Sequence, residues 1–314
     1  MEYKPLGTTG VTLSVIGFGA SPLGNVFQRV EQAEARRAVD VAIDEGINFF
    51  DVSPYYGLTL AEERLGEALV GKREKIFLAT KVGRDDVDSF DFSAARVTNG
   101  LDESLRRLRT DRVDLLQAHD VEFASKRQIV EETLPALRAA QLRGKARFIG
   151  ITSYQLGLMA EIAESAPIDA VLSYCRHNLL IDDMDELLTP VVRERGIGLI
   201  NASPLHMGVV TGGAAPEWHP APEGVRAAGA RIAQLCREAG VEPTRVALRF
   251  CLDHPYVTST LIGMSSAQQV RDNLRALDAK IDPALRTKLR EAAGVFHNVI
   301  WPSGLPENRD YRPA

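Results

Sequence analysis

Four residues able to move a proton together follow three neighbouring candidate strands. Asp51 and Tyr56 lie within FFDVSPYYG, Lys81 ends FLATK, and His119 follows DLLQA. A lysine ammonium beside a tyrosine hydroxyl favours the phenolate and is expected to lower a pKa of about 10 toward the working range. The tyrosine then exchanges a proton with a carbonyl or alcohol oxygen while hydride moves between carbon and a nicotinamide. The pattern predicts an oxidoreductase site.

Each of these residues alone has a structural explanation. A strand-end Asp caps a turn, a Lys is usually exposed, and a lone His is usually a hydrogen-bonded core residue. Three ionisable groups at the same level of adjacent strands favour function, because buried charges are costly unless they pair. A strand-end lysine on a barrel is also the central residue of a Schiff-base aldolase, so Lys81 leaves that alternative open.

The elements that must position these residues alternate between short β-branched or aromatic runs and longer amphipathic stretches, as in a parallel α/β fold. The sequence predicts eight strands, at 14–21, 47–53, 75–82, 112–119, 146–153, 169–175, 196–203 and 257–264. It predicts helices at 31–45, 61–69, 93–107, 126–143, 156–165, 185–195, 225–239, 244–253 and 266–276.

Eight strands, each followed by a helix, favour a TIM (β/α)8 barrel with extra helices over a doubly wound sheet, which usually has five or six strands. Residues 3–13 predict an N-terminal β-hairpin that plugs the bottom of the barrel. No low-complexity linker divides the chain, so residues 1–314 are expected to form a single domain. The loop at 204–224 and the C-terminal tail are candidates for substrate contact.

Composition excludes several functional classes. The net charge of −5 and the lack of a basic stripe argue against a nucleic-acid partner. Three cysteines without a C-x-x-C pair argue against a disulfide framework, and the histidines show no metal-binding spacing, so no metal is predicted. No signal sequence or membrane span is recognisable, and we expect a cytoplasmic protein. Its oligomeric state is not readable.

Several motifs resemble, in order and spacing, the signature of the aldo-keto reductase family over nearly the whole chain. They are Asp51-x4-Tyr56-Gly57, EERLG at 62–66, ATKV at 79–82 and DLLQAHD at 114–120. The resemblance implies a catalytic tetrad of Asp51, Tyr56, Lys81 and His119. The family's five-residue step from the Asp selects Tyr56 over Tyr55, which is assigned to the pocket wall.

The nicotinamide side of the family pattern matches less completely. The resemblance places Ser153 and Tyr154 where the family has a Ser-Asn pair, and Tyr174 where it has a Gln. Ala202 falls where a tyrosine usually stacks on the ring, ahead of Ser203-Pro204-Leu205. Either Tyr154 and Tyr174 bind the nicotinamide in another way, or the protein has lost catalysis; the intact tetrad favours the first.

The segment after the last predicted strand resembles the family's adenosine-phosphate site. The resemblance assigns cofactor contacts there to Gly263, Ser265, Gln269 and Asn273. None of these is a cation that could pair with a 2′-phosphate, and Arg271 is expected to point away. The predicted cofactor is therefore NAD, with NADP as the alternative.

Ser203-Pro204-Leu205 and Ser153-Tyr154 resemble most closely the family's NAD-linked sugar dehydrogenases. This implies oxidation of an aldose of the L-galactose or L-fucose type at C1 to its lactone, with His119 orienting the sugar oxygen. Trp218 and Trp301 join Tyr55 and His119 as predicted pocket residues. An NADPH-dependent aldehyde or ketone reductase and a non-catalytic nucleotide-binding regulatory subunit remain alternatives.

Overall fold

Eight parallel strands close a barrel, and two shorter strands form an antiparallel hairpin, in a computed structural model that describes residues 1–213 and 215–310. The strands are β1 (Tyr3–Pro5), β2 (Thr12–Ser14), β3 (Ile16–Gly19), β4 (Phe49–Asp51), β5 (Phe77–Val82), β6 (Val113–Ala118), β7 (Ala146–Ser153), β8 (Ala170–Tyr174), β9 (Gly198–Ala202) and β10 (Val257–Gly263). β3 to β10 pair in chain order, and β10 pairs with β3 to close the barrel. The predicted TIM barrel is confirmed.

Alternate side chains of the barrel strands pack into two different cores, so the strands are buried on both faces. Phe49, Phe77 and Leu115 belong to a cluster inside the barrel. Their chain neighbours Phe50 and Leu78 belong instead to the larger core between strands and helices. Successive side chains of a strand point to opposite faces, so an apolar run is buried only where both faces are covered.

Amphipathic helices surround the barrel. They are α1 (Gln32–Asp44), α2 (Leu60–Ala68), α3 (Ala94–Leu108), α4 (Lys126–Gln128), α5 (Leu134–Leu142), α6 (Leu156–Ser165), α7 (Met184–Leu187), α8 (Thr189–Arg195), α9 (Glu223–Glu238), α10 (Pro243–Leu252), α11 (Ala267–Leu274) and α12 (Pro283–Ala293). Among the helices of the described residues, none combines the length and apolarity that a membrane span requires.

The N-terminal hairpin pairs β1 with β2 and covers the amino-terminal end of the barrel. Leu6 and Leu13 are fully buried and pack in the same cluster as Phe49 and Phe77 inside the barrel. Gly7 passes the backbone of residues 196–198 so closely that a Cβ would lie 2.3 Å from a carbonyl oxygen. The predicted hairpin at the bottom of the barrel is confirmed.

Two predicted helices are interrupted, and one helix was not predicted. The stretch 126–143 contains a π-helical turn at Ile129–Thr133, next to Pro135, which has no N–H to continue the α-helical bonding. The stretch 185–195 divides into α7 and α8 before Pro190. α12 packs against α9, and its buried positions Leu289 and Ala293 follow helical spacing that could have indicated it.

Candidate active site

The carboxyl ends of β4, β5 and β6 bring the predicted tetrad together. Asp51 is the last residue of β4, Lys81 lies next to the end of β5, and His119 directly follows β6. Parallel register places Asp51 beside Ala79 and Lys81 beside Gln117. Because these strands are adjacent, their polar side chains meet at one end of the barrel, where TIM-barrel active sites lie.

Tyr56 reaches the same place from the loop after β4. Its backbone N–H donates to the Ser53 carbonyl at 3.1 Å, which forms a tight turn. Gly57, with φ of +64°, follows it, and a Cβ there would lie 2.0 Å from the Gly24 carbonyl oxygen. Only glycine allows the two loops to approach this closely, so Gly57 fixes the direction from which Tyr56 enters the site.

Lys81 is the centre of the hydrogen-bond network. Its ammonium donates to the Asp51 carboxylate, to the Val52 carbonyl at 2.9 Å and to the Tyr56 hydroxyl at 3.3 Å. Burial lowers the pKa of Lys81, but the negative charge of Asp51 and the hydrogen bonds with Asp51 and Tyr56 more than offset this, and its pKa is raised. Lys81 therefore stays protonated, which makes it a poor nucleophile for Schiff-base chemistry.

The net pKa of Tyr56 moves in the direction opposite to the one expected. Burial raises the pKa of the phenol, and the positive charge of Lys81 lowers it by less, so the pKa of Tyr56 is above its usual value. The expectation that Lys81 brings this pKa toward neutrality is wrong as a net effect, since desolvation of the phenolate outweighs the lysine. Tyr56 is a proton donor at neutral pH.

His119 is neutral and its tautomer follows from its partner. Burial lowers the pKa of His119 to about 3. The ring Nδ1 lies 3.0 Å from Ser53 Oγ, which accepts the Tyr55 N–H at 3.2 Å. The Ser53 hydroxyl proton has no other acceptor among the described residues, which favours its donation to Nδ1. Nε2 then carries the imidazole proton and is the donor available to a substrate oxygen. Sequence reasoning missed Ser53.

Gln117 fixes the other side of the Asp51 carboxylate. Its Nε2 donates to Asp51 Oδ2 at 3.0 Å, and both residues are buried. Gln117 was not predicted as a site residue, although the two-residue period of β6 places it on the same face as Leu115, inside the barrel. That period was the signal that could have found it.

The predicted pocket residues lie in different surroundings. Tyr55 has its ring centroid 5.9 Å from that of His119. Trp218 is 53 % exposed and approaches Phe27, with ring centroids 5.9 Å apart. Trp301 is only 7 % exposed and stacks on Tyr154 at 4.4 Å. Thus Tyr55 adjoins the tetrad, whereas the two tryptophans do not meet its side chains.

The residues predicted to hold the nicotinamide have partners within the protein. Ser153 Oγ donates to the Glu122 carboxylate at 2.7 Å, and the Tyr154 side chain is fully buried below Trp301. Tyr174 is partly exposed at the end of β8. Ser203, Pro204 and Leu205 directly follow β9, and Ser203 adopts φ of +58°. Their contacts with a cofactor stay predictions.

Glu122 connects this region to the C-terminal segment and was missed by sequence reasoning. Its carboxylate accepts the Tyr154 N–H at 3.2 Å and the Ser303 hydroxyl at 3.1 Å. Asn308 donates to the Glu122 carbonyl at 2.8 Å, and Asp310 pairs with the buried Arg176. The tail therefore packs across the segments that follow β6, β7 and β8 as far as residue 310. Residues 311–314 lie outside the described residues.

The predicted adenosine residues surround the start of α11. Ser265 donates to Gln269 Oε1 through its N–H at 2.8 Å and through its hydroxyl at 3.0 Å, and Asn273 is buried near the end of α11. Glu34, in α1, accepts the Ala267 N–H at 3.2 Å. The exposed Gly263 precedes these residues, at the end of β10. The contacts of these residues with a cofactor stay predictions.

Two arginines lie near this helix start, and each faces a carboxylate of α1 or its C-terminal end. Arg37 donates to Glu34 at 3.0 Å and lowers the pKa of that carboxyl, which is ionised at neutral pH. Arg271 is half exposed, and its guanidinium lies 4.0 Å from Glu45, at the other end of α1. Glu34 was missed because its position beside α11 depends on the packing of α1 against that helix.

A second polar cluster joins His177, Asp185 and His254, with ligand atoms within 4.8 Å of one another. Nδ1 of His254 accepts the backbone N–H groups of Tyr256 at 3.1 Å and Val257 at 2.9 Å. Its proton therefore lies on Nε2, which donates to Asp185. A histidine with both nitrogens used in this way has no lone pair for a metal, so the cluster is a poor cation site.

Comparison with known proteins decides the family. Residues 15–293 match the Aldo/keto reductase family. The chain belongs to the aldo-keto reductase family. It is 42 % identical to L-galactose dehydrogenase of Arabidopsis thaliana, with 98 % of this chain and 99 % of that protein covered. It is also 28 % identical to D-threo-aldose 1-dehydrogenase of a Pseudomonas species, covering 90 % and 95 %.

A solved structure of another aldo-keto reductase, from Bacillus halodurans in its holo form, is similar over the whole fold. The TM-score is 0.77 at 26 % identity, covering 99 % of this chain and all of that one. Family membership makes this aldo-keto reductase an oxidoreductase and implies a nicotinamide cofactor. The amide of Asn273, buried near the end of α11, has the donor and acceptor groups that fit the adenine of such a cofactor.

Proposed function

We propose that this aldo-keto reductase oxidises an aldose at C1 to its lactone with NAD. The observation that carries the proposal is the 42 % identity to L-galactose dehydrogenase over 98 % of the chain, together with a complete tetrad. The similarity to D-threo-aldose 1-dehydrogenase supports the same substrate class. An aldose of the L-galactose or L-fucose type is the proposed substrate.

Tyr56 is the proposed general base of the oxidation. Its phenolate takes the proton of the C1 hydroxyl, the C1–H bond breaks with its electron pair, and the C1–O bond becomes the lactone carbonyl. The nicotinamide, when bound, supplies the acceptor for that hydride. Because the pKa of Tyr56 is raised, the phenolate is scarce at neutral pH and the oxidation gains from alkaline conditions.

The other tetrad members prepare Tyr56 and the sugar. Lys81, held charged by Asp51, stabilises the phenolate through its 3.3 Å contact. His119 donates from Nε2 to the reacting oxygen and places it next to Tyr56, whose ring is perpendicular to the imidazole at 5.9 Å. A neutral His119 leaves the proton transfer to Tyr56, because an imidazole with a pKa of about 3 is not protonated at neutral pH.

NAD is the proposed cofactor because a negative charge stands near the adenosine segment. The Ala267 N–H at the start of α11 already donates to Glu34, and the Ser265 N–H already donates to Gln269. The one arginine beside Glu34, Arg37, is already paired with that carboxylate. A 2′-phosphate here would therefore lose its hydration without gaining an unpaired cation, and it would face the Glu34 carboxylate. A ribose 2′-hydroxyl, by contrast, can donate to that carboxylate.

The runner-up is an NADPH-dependent aldehyde or ketone reductase, since the same residues run the reaction in reverse with Tyr56 as acid. A screen of aldoses and simple carbonyl compounds against both dinucleotides, followed by absorbance of the reduced nicotinamide, separates the two. Faster aldose oxidation with NAD supports the proposal. Carbonyl reduction with NADPH and no aldose oxidation would replace it, and cofactor binding without any turnover would favour a regulatory subunit.

A further inference from the structure

A charged pair adjoins the tetrad and takes no part in the proton transfer. Arg84 follows Lys81 by three residues, and Asp120 follows His119 directly. Their side chains form an ion pair in which Arg84 Nη1 donates to Asp120 Oδ2, and that oxygen lies 3.8 Å from His119 Nε2. The Arg84 guanidinium also stacks 3.9 Å above the ring of Tyr55.

The backbone at Asp120 is in a strained conformation that positions this ion pair. Asp120 adopts φ of +54°, a left-handed conformation that costs a residue with a Cβ about 1 kcal/mol or more. Thr152 fixes it twice, since its Oγ1 accepts the Asp120 N–H at 2.9 Å and donates to Oδ1 at 3.3 Å. The carboxylate is buried, and a buried ion pair is a weak source of stability. A strained, buried pair at the reacting end of the barrel therefore points to function.

The pair also keeps hydrogen-bonding capacity that the protein does not use. Arg84 Nη2 and His119 Nε2 have no hydrogen-bond partner within the described part of the chain. Each oxygen of Asp120 accepts a single hydrogen bond there, although a carboxylate oxygen can accept two. Burial raises the pKa of Asp120, but the charge and hydrogen bond of Arg84 contribute to a net lowering, so its carboxylate is available as an acceptor.

The unused donors and acceptors of Arg84 and Asp120 lie where they can reach a hydroxyl next to the reacting carbon of a sugar. Asp120 Oδ2 lies 3.8 Å from the nitrogen that donates to the reacting oxygen. Neighbouring oxygens of a sugar stand about one hydrogen-bond length, ~3 Å, apart. A hydroxyl on the carbon next to the reacting one therefore comes within reach of Asp120 and Arg84 when the C1 oxygen is bound to His119.

We propose that Arg84 and Asp120 bind the C2 hydroxyl of the sugar and make this enzyme specific for 2-hydroxy aldoses. The C2 hydroxyl donates a hydrogen bond to the Asp120 carboxylate, and Arg84 Nη2 donates a hydrogen bond to the hydroxyl oxygen. The inference rests on the proposed aldose oxidation and adds the substrate feature that the site recognises. Two complementary contacts to one hydroxyl reject an analogue that lacks it, because the charged partners are then left unsatisfied.

The test combines enzyme variants with deoxy sugars. kcat/KM is measured for the best aldose and for its 2-deoxy and 3-deoxy counterparts, with wild type, Asp120→Asn and Arg84→Lys, each with saturating cofactor. Wild type should prefer the parent aldose over the 2-deoxy sugar by about 10- to 100-fold. In both variants this ratio should fall to within about threefold of unity, while the 3-deoxy ratio stays as in wild type.

The matched control is Asp85→Asn, which breaks the nearby Arg96 ion pair at 2.7 Å without touching His119. It should leave the 2-deoxy ratio unchanged. A purely structural role for Arg84 and Asp120 would lower kcat/KM equally for all three sugars and would overturn the inference, as would a change in the 3-deoxy ratio alone. Where Asp120→Asn fails to fold, Arg84→Lys, which keeps the charge and loses the planar fork, decides the matter.

Failure of the proposed function has a different signature, namely a wild-type enzyme that oxidises no aldose. Calorimetric titration of the holoenzyme with the parent and 2-deoxy sugars then tests the pair directly. Equal affinity of wild type for the two sugars would overturn the inference, and a preference that is lost in Arg84→Lys would support it without any turnover.

Discussion

Replacing Glu122 with glutamine should stabilise the protein relative to wild type by an amount that increases with pH. The Glu122 carboxyl is fully buried, with Ser153, Tyr154 and Ser303 as its donors. Burial, with a further contribution from the charge of Asp120, raises its pKa to about 7. Glutamine is neutral at every pH and keeps a carbonyl oxygen for the Tyr154 N–H.

The magnitude follows from the pKa of Glu122 in the two states. The unfolded carboxyl titrates near 4.5 and the folded one near 7. Between these values the folded state binds more protons, so stability falls as pH rises, and the loss is complete above the folded pKa. A difference of about 2.5 units at 1.36 kcal/mol each makes the full cost of ionising Glu122 about 3 kcal/mol. Any hydrogen bond weakened by the amide adds an offset that does not depend on pH.

The assay is urea unfolding at pH 5, 7 and 9, followed by tryptophan fluorescence. Trp301 stacks on Tyr154 and therefore reports on the segment that Glu122 holds. Between pH 5 and 9 the free energy of unfolding of Glu122→Gln should gain about 2.5 kcal/mol on wild type. The control Glu161→Gln changes an exposed carboxylate and should show no such trend. A difference between Glu122→Gln and wild type that is the same at all three pH values would refute the reasoning.

Three further results are expected. Tyr56→Phe should lower kcat by about 10²–10⁴-fold and leave dinucleotide affinity unchanged. If Tyr55→Phe is inactive and Tyr56→Phe is active, Tyr55 is the acid and base instead. Aldose oxidation should rise with alkaline pH, and Lys81→Met should move the rise to higher pH; a flat profile with hydride transfer rate-limiting contradicts this. Glu34→Gln should improve binding of adenosine 2′,5′-bisphosphate relative to AMP by about tenfold, about 1.4 kcal/mol. The exposed residue Glu31 supplies the control, Glu31→Gln. If the ratio of the two affinities is the same in Glu34→Gln and in Glu31→Gln, Glu34 has no role in this preference.

The amino-acid sequence by itself determined the barrel and the tetrad's location. Eight apolar runs at regular intervals can be buried on both faces only when helices cover them, which is the reason that the strand count predicted the fold. The strand ends then located Asp51, Lys81 and His119, since parallel strands bring their carboxyl ends to one edge of the barrel. These features depend on local patterns, and local patterns are visible in a single sequence.

Tertiary structure alone decided the partners and the charge states. The raised pKa of Tyr56 reflects burial outweighing Lys81, and burial is a property of the packed molecule. Glu122 meets Ser303, 181 positions later, and Glu34 meets Ala267, 233 positions later. Such contacts follow from where helices and the C-terminal segment pack on the barrel. No spacing rule within one chain predicts them, because the residues become neighbours only after the barrel has closed.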